Sequence, residues 1–372
     1  MLEKGKISLR QFTVLVLLYT VGSTILIIPS ILTSVAKQDA WIAGFIGLGG
    51  GVVAVFLYSS LASKFPGKNF SQILEQLLGK WVGKTVSLVY LLTFVFLLCL
   101  FVLRDIGDFM VSVMMVETPI EVIHFTFLVV VIFAVRQGLE TLSRTAELFL
   151  PWTFFLFLIL VFAVSPHIDF NAARPVMEFG LKPVLNASIS FLTFPFLELI
   201  VFLMIIPYVN TQHIRKGFLT GTLIGGGSLI LISILSILVL GVVDTSESVY
   251  SSYDLAKQIN LGGFIQRVEA MMAFLWFTTV FMKLTILTYV VSLGLAQTLE
   301  LHDHKVLTLP LALIMYVFSI DLFPNISFLI EFTQTMQIYV LIYGAVFPII
   351  LIILSNIRQV RSLKPKENEA GT

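Results

Sequence analysis

The sequence predicts an all-α integral membrane protein: about ten transmembrane helices in a 5+5 inverted repeat, with helices 1 and 6 broken. Three observations carry this expectation. The 372-residue chain is 58% hydrophobic and 12% charged, about half the charged share of an ordinary soluble domain. Its apolar residues gather into ten runs, most of them long enough to cross a bilayer as helices. Two short motifs recur at matching offsets in the two halves.

The runs fall at about 11–34, 41–63, 85–109, 120–136, 145–165, 187–208, 218–243, 268–296, 306–320 and 333–356. The first holds the stretch around which the rest is organised. Tyr19, Thr20, Gly22, Ser23 and Thr24 form a small, polar cluster at its centre, and Pro29 follows. Glycine weakens a helix, and proline removes a backbone donor and crowds the preceding turn. An unwound segment inside hydrocarbon is tolerated only where it lines a cavity or a ligand. Secondary transporters hold substrate at such breaks.

Between runs two and three, Pro66 and Gly67 precede an amphipathic stretch, Phe70 to Leu78, expected to lie as a helix at the membrane surface. Segments 165–186 and 244–266 are the larger loops of the opposite side. Residues 364–372 are polar and expected to be a disordered cytoplasmic tail. Lys and Arg set the orientation. With ten spans, sixteen fall on the side of the termini and five on the other, while Arg104 and Lys283 lie within runs. Both termini are therefore expected in the cytoplasm.

Ile27-Ile28-Pro29 in run one recurs as Ile205-Ile206-Pro207 in run six, an offset of 178 residues. Gly49-Gly50-Gly51 in run two recurs as Gly225-Gly226-Gly227 in run seven, an offset of 176. The chain then reads as one transmembrane domain, 1–372, with repeat one at about 11–165 and repeat two at about 187–356. Five spans is an odd number, so the second copy is inverted. Run six carries its own interruption at Thr193, Pro195 and Glu198, and Glu198 aligns with Thr20. Paired breaks in two halves point to a binding site.

The sequence offers no phosphate loop, nucleophile motif or metal-ligand cluster, so no enzyme activity, cofactor or metal is expected. A net charge of +1 gives no argument for nucleic acid. The single cysteine, Cys99, excludes a disulfide framework.

Charges inside the runs are informative, because one at mid-bilayer costs about 2.5–3.5 kcal/mol on insertion scales and needs a partner or water. Lys283 lies well inside run eight and Glu198 near the middle of run six. Glu147 is one turn inside run five, three residues after Arg144, with which it can pair along one helix face. The acidic partner expected for Lys283 is Glu147, with Glu198 as the second choice. A structural ion pair, mimicry of a bound cation and a proton switch all remain open for Lys283. Arg104, Asp105 and Asp108 are expected to form an interfacial cluster at the end of run three. Phe191, Phe194 and Phe196 flank the run-six break and could wall an apolar pocket.

Several motifs in order resemble one family. They are Ile7-Ser8-Leu9-Arg10-Gln11-Phe12, the run Gly22–Pro29, Phe65-Pro66-Gly67-Lys68, Leu103-Arg104-Asp105, and the segment from Arg144 to Pro151. Together they are similar to the B subunits of bacterial spore germinant receptors, in the spore-permease branch of the amino-acid/polyamine/organocation superfamily. The resemblance implies a ten-span inverted-repeat fold in the inner membrane of the spore, within the bacterial cytoplasmic membrane system. It implies a subunit that senses a small nutrient, an amino acid among the candidates, beside a larger A subunit and a C-subunit lipoprotein, in contact with membrane lipid. By the same resemblance the ligand would meet Thr20, Gly22, Ser23, Thr24, Thr193, Phe194 and Glu198. The superfamily's ion-site region on span eight would correspond to Thr278, Thr279 and Lys283, with Glu147 as coupling partner. A Lys at 283 and an acid at 198 depart from the superfamily's general ion sites and argue against sodium coupling. The alternative function is a proton-coupled amino-acid permease.

Overall fold

The computed structural model describes residue 3 and residues 5–211, 213–258 and 268–363. The expected tail, 364–372, lies outside the described residues. The described residues form a helical bundle, with one isolated parallel β-bridge between Ile7 and Val209. Helix α1 (Leu9–Val21) and α2 (Thr24–Ala36) make up the first run, and α3 (Ala40–Lys64) the second. The amphipathic stretch is a helix at the expected bounds, α4 (Phe70–Leu78). Next, α5 (Lys80–Val89) passes through a π turn at Tyr90–Val95 into α6 (Phe96–Phe109). Then come α7 (Ile120–Arg136) and α8 (Leu139–Val164). In the sixth run, α9 (Leu181–Phe196) tightens into 3-10 turns at Leu197–Met204 and Ile206–Tyr208. The rest is α10 (Ile214–Glu247), the short α11 (Ser251–Lys257), α12 (Val268–Thr298), α13 (Lys305–Asp321), and α14 (Ile326–Leu341) joined by a π turn to α15 (Phe347–Leu363). Helical segments thus stand at all ten expected positions. Among the described residues, seven helices are long and apolar enough to cross a membrane.

Local chemistry accounts for the boundaries. Ser8 opens α1 and Asn69 opens α4, each with a capping box that satisfies two of the N–H groups a helix start leaves bare. The inward face of α4, Phe70, Ile73, Leu74 and Leu77, is buried against protein, so this helix is part of the bundle as well as its surface.

The matched glycines are contact points. A methyl group on Gly51 would lie 2.5 Å from the Phe196 ring, and one on Gly226 would lie 2.8 Å from the far edge of the same ring. Both repeat-related triplets therefore make room for the one aromatic side chain that ends α9. Gly225 likewise admits Thr20, whose Cβ would lie 2.9 Å from an added methyl. The triplets let α3 and α10 close around the two interrupted helices.

Candidate functional site

The first break sits at Gly22–Ser23. Gly22 adopts φ 28°, ψ −131°, which a side chain would strain. Pro29 lies inside α2 without unwinding it. Broken helices expose carbonyls, and neighbouring helices satisfy them here. The Gly22 carbonyl accepts from the Thr279 hydroxyl at 3.0 Å, and the Ser23 carbonyl from Trp276 Nε1 at 3.4 Å, both on α12. Pro29 cannot donate to the Ile25 carbonyl, and the Ser252 hydroxyl of α11 takes that place at 2.6 Å.

The second break is a change of winding rather than an unwound strand. After Pro195 the helix tightens to 3-10 geometry, which carries Glu198. Tyr58 of α3 donates toward the Leu197 carbonyl (3.0 Å) and the Gly344 carbonyl in the last π turn (2.6 Å). One hydroxyl proton serves two carbonyls there, tying the second break to the end of the chain.

Between the breaks lies a buried ion pair. Lys283 Nζ is 2.8 Å from Glu198 Oε2, with 2% and 4% of the two side chains exposed. The Tyr19 hydroxyl donates to the same carboxylate at 3.4 Å, and Lys283 Nζ donates to Ser23 Oγ at 3.4 Å. The ammonium also stands 5.2 Å from the centre of the Tyr19 ring, within range of a cation–π attraction. One cation on α12 therefore touches both interrupted helices, and it is almost wholly buried.

Several expectations change. Lys283 pairs with Glu198, not with Glu147. The Glu147 carboxylate faces the start of α1, where Arg10 Nε lies at 3.4 Å and Gln11 Nε2 at 3.2 Å. Nor does Arg144 pair with Glu147; it bonds Glu140 at 2.6 Å, one turn earlier on the same helix. Arg104, Asp105 and Asp108 are buried rather than interfacial, because α6 packs against α7, α12 and α13. There Arg104 Nε donates to both oxygens of Asp108 at 3.0 Å.

Of the residues singled out from sequence, the structure brings Gly22, Ser23, Thr279, Lys283 and Glu198 together. Thr24 and Phe194 are buried beside the breaks. Thr20 and Thr193 are buried too, but their hydroxyls bond back to their own helices, at Val16 for Thr20 and at Ile189 and Ser190 for Thr193. Thr278 points away: it lines an outward apolar groove with Leu148, Phe149 and Trp152, and its hydroxyl bonds back to Phe274. Thr278 and Thr279 are neighbours, yet about 100° of helix rotation separates them. Trp276 and Tyr58 were not singled out. An aromatic with a polar tip inside an apolar run was the available signal.

An all-helical bundle with apolar spans and a buried charged pair between two interrupted helices defines a membrane protein of transporter-like architecture. The chain belongs to the spore germination protein family of spore permeases, whose model matches residues 6–327. Spore germination protein KB of Bacillus subtilis (strain 168) is 29% identical over 99% of this chain and 100% of that protein. Spore germination protein YndE of the same organism is 25% identical over 95% and 98%. Spore germination protein A2, also from that organism, is 29% identical over 75% and 77%. Among solved structures, the nucleobase-cation-symport-1 family transporter Mhp1, in a closed conformation with bromovinylhydantoin bound, matches with a TM-score of 0.67 at 12% identity, covering 90% of this chain and 75% of that one. At that identity the likeness speaks for the fold alone.

Proposed function

We propose that this chain is the nutrient-sensing B subunit of a spore germinant receptor, and that it binds an amino-acid-like zwitterion at the two breaks. It acts in the spore's inner membrane beside an A subunit and a C-subunit lipoprotein. Its ten spans form the 5+5 inverted repeat with both termini cytoplasmic. The observation that carries the ligand class is the buried Lys283–Glu198 pair. Removing the partner of a buried charge is costly. A simple cation or anion entering here would strand one member. A zwitterion strands neither: its carboxylate takes the Lys283 ammonium and the bare N–H groups that begin α2, and its ammonium takes Glu198. Glu198 is thus exchanged from an internal cation to the ligand's own. Phe194 lies close enough to the break to cover an apolar side chain.

Spores carrying Glu198→Gln should need more than tenfold more nutrient, about 1.4 kcal/mol or more, while still germinating with a non-nutrient trigger. An unchanged nutrient requirement would place the ligand elsewhere. A second reading, a proton-coupled amino-acid permease, draws on the same titratable pair and on the fold shared with Mhp1. Vesicles bearing the purified chain separate the two. Accumulation of the nutrient against its gradient favours the permease; binding without accumulation favours the sensor.

A further inference from the structure

A cavity of about 850 Å³ opens at the end of the bundle that holds the Ile206–Tyr208 turn, the 65–68 turn and the start of α10. Its basic lining comes from Lys68, His213, Arg215 and Lys216, and among the described residues no carboxylate lines it. Among the described residues, none of Lys68, Arg215 and Lys216 is in an ion pair. Lys68 is steadied by Gln76 at 2.7 Å, and Arg215 lies over the Phe56 ring at 5.2 Å. Three basic side chains therefore share one mouth, and among the described residues no acid pairs with them.

The inner wall has the opposite character. Pro207, Leu219 and Leu223 line it. From Leu223 an exposed apolar strip continues along α10 to Ile224 and along α3 to Phe56 and Val53, the last 67% exposed. Both helices lie in segments apolar enough to cross a membrane, so this strip faces hydrocarbon. A basic mouth joined to a hydrocarbon-facing strip fits one amphiphile: an anionic head on the cations and an acyl chain along the helices. An acidic protein segment would match the charge but would leave the strip unused.

We infer that this cavity is a binding site for an anionic phospholipid, with Lys68, Arg215 and Lys216 holding the headgroup phosphate and Leu219 and Leu223 seating the first part of an acyl chain. The site is separate from the ion pair between the broken helices and does not depend on the ligand proposed there. Surface basic residues are each drawn to an anionic leaflet, so three of them favour an anionic over a zwitterionic headgroup by a measurable ratio.

The experiment uses the full chain purified in a neutral detergent, titrated with phosphatidylglycerol or phosphatidylcholine and read by native mass spectrometry of the lipid-bound fraction. Phosphatidylglycerol should half-saturate at a concentration at least tenfold below phosphatidylcholine. Arg215→Gln with Lys216→Gln should remove most of that preference. Lys68→Gln, on an exposed turn, should reduce it by threefold or more, which keeps the test open if the double variant folds poorly. A control pair at the opposite end, Arg174→Gln with Lys182→Gln, should leave it unchanged. Equal binding of the two lipids, or a preference untouched by the Lys68 and Arg215/Lys216 variants, overturns the inference. Binding of free glycerol phosphate as tightly as phosphatidylglycerol overturns it in favour of a soluble anion, and full competition by an acidic peptide overturns it in favour of a protein partner.

Discussion

The Lys283–Glu198 pair can be tested by a double-mutant cycle. At 2.8 Å and an effective dielectric of about 20, two unit charges attract by about 6 kcal/mol before desolvation is subtracted. Lys283→Met keeps the side-chain length and strands Glu198, with only the Tyr19 hydroxyl at 3.4 Å to support it. Breaking a buried pair from one side costs about 3–5 kcal/mol. Glu198→Gln strands Lys283 in turn, whose remaining hydrogen-bond partner is Ser23 Oγ at 3.4 Å. The double variant removes both charges, so its loss should be smaller than the sum of the two, with a coupling of about 2 kcal/mol or more. The assay is unfolding of the purified chain in one fixed detergent, with Lys283→Met/Glu147→Gln as the comparison. That second cycle should add within about 0.5 kcal/mol. A Glu198 coupling below about 0.5 kcal/mol, or a Glu147 coupling as large, would refute the pairing and the ligand-exchange argument built on it.

Three further outcomes follow from the geometry. In Gly22→Leu, the first side-chain carbon would lie 2.6 Å from Lys283 Cδ and 2.7 Å from the Tyr19 carbonyl. It should abolish the nutrient response in spores, and the smaller Gly22→Ala, which carries the same first carbon, should lower stability by about 1–3 kcal/mol or more through backbone strain with that crowding added; a Gly22→Leu strain that germinates normally sinks this reading. Tyr58→Phe should cost about 1–3 kcal/mol by leaving the Leu197 and Gly344 carbonyls without their donor, and a melting temperature equal to wild type would show that water replaces it. For topology, cysteine at Lys182 or Lys257 should react with an impermeant thiol reagent from outside the cell, and cysteine at Lys68 or Arg215 should not; the reverse pattern overturns the cytoplasmic placement of the termini.

Element positions and the first break were legible in the sequence because each rests on a local rule. Apolar run length placed the helical segments, the amphipathic pattern from Phe70 to Leu78 placed α4, and Gly22 with its small, polar neighbours marked the break. The identity of the Lys283 partner was not legible. Helix α12 is apolar almost all round, so no polar stripe tells which side of it faces inward. Depth in the membrane suggested an acid near Lys283, and both Glu147 and Glu198 met that test. The choice depended on the rotation of α8, which turns Glu147 toward Arg10 and Gln11 at the start of α1.

The same unknown, helix rotation, separates Thr279 from Thr278. Only Thr279 reaches the broken backbone, at the Gly22 carbonyl, and its neighbour bonds its own helix. The contacts around the breaks share a logic the sequence could not reveal. The Gly22, Ser23 and Leu197 carbonyls, and the one that Pro29 cannot serve at Ile25, each accept from a side chain of a different helix: Thr279, Trp276, Tyr58 and Ser252. A helix broken inside hydrocarbon is stable only with such donors, so the donors fix where the breaks are held. A ligand that displaced Lys283 from Glu198 would act on α12, the same helix that holds both carbonyls of the first break.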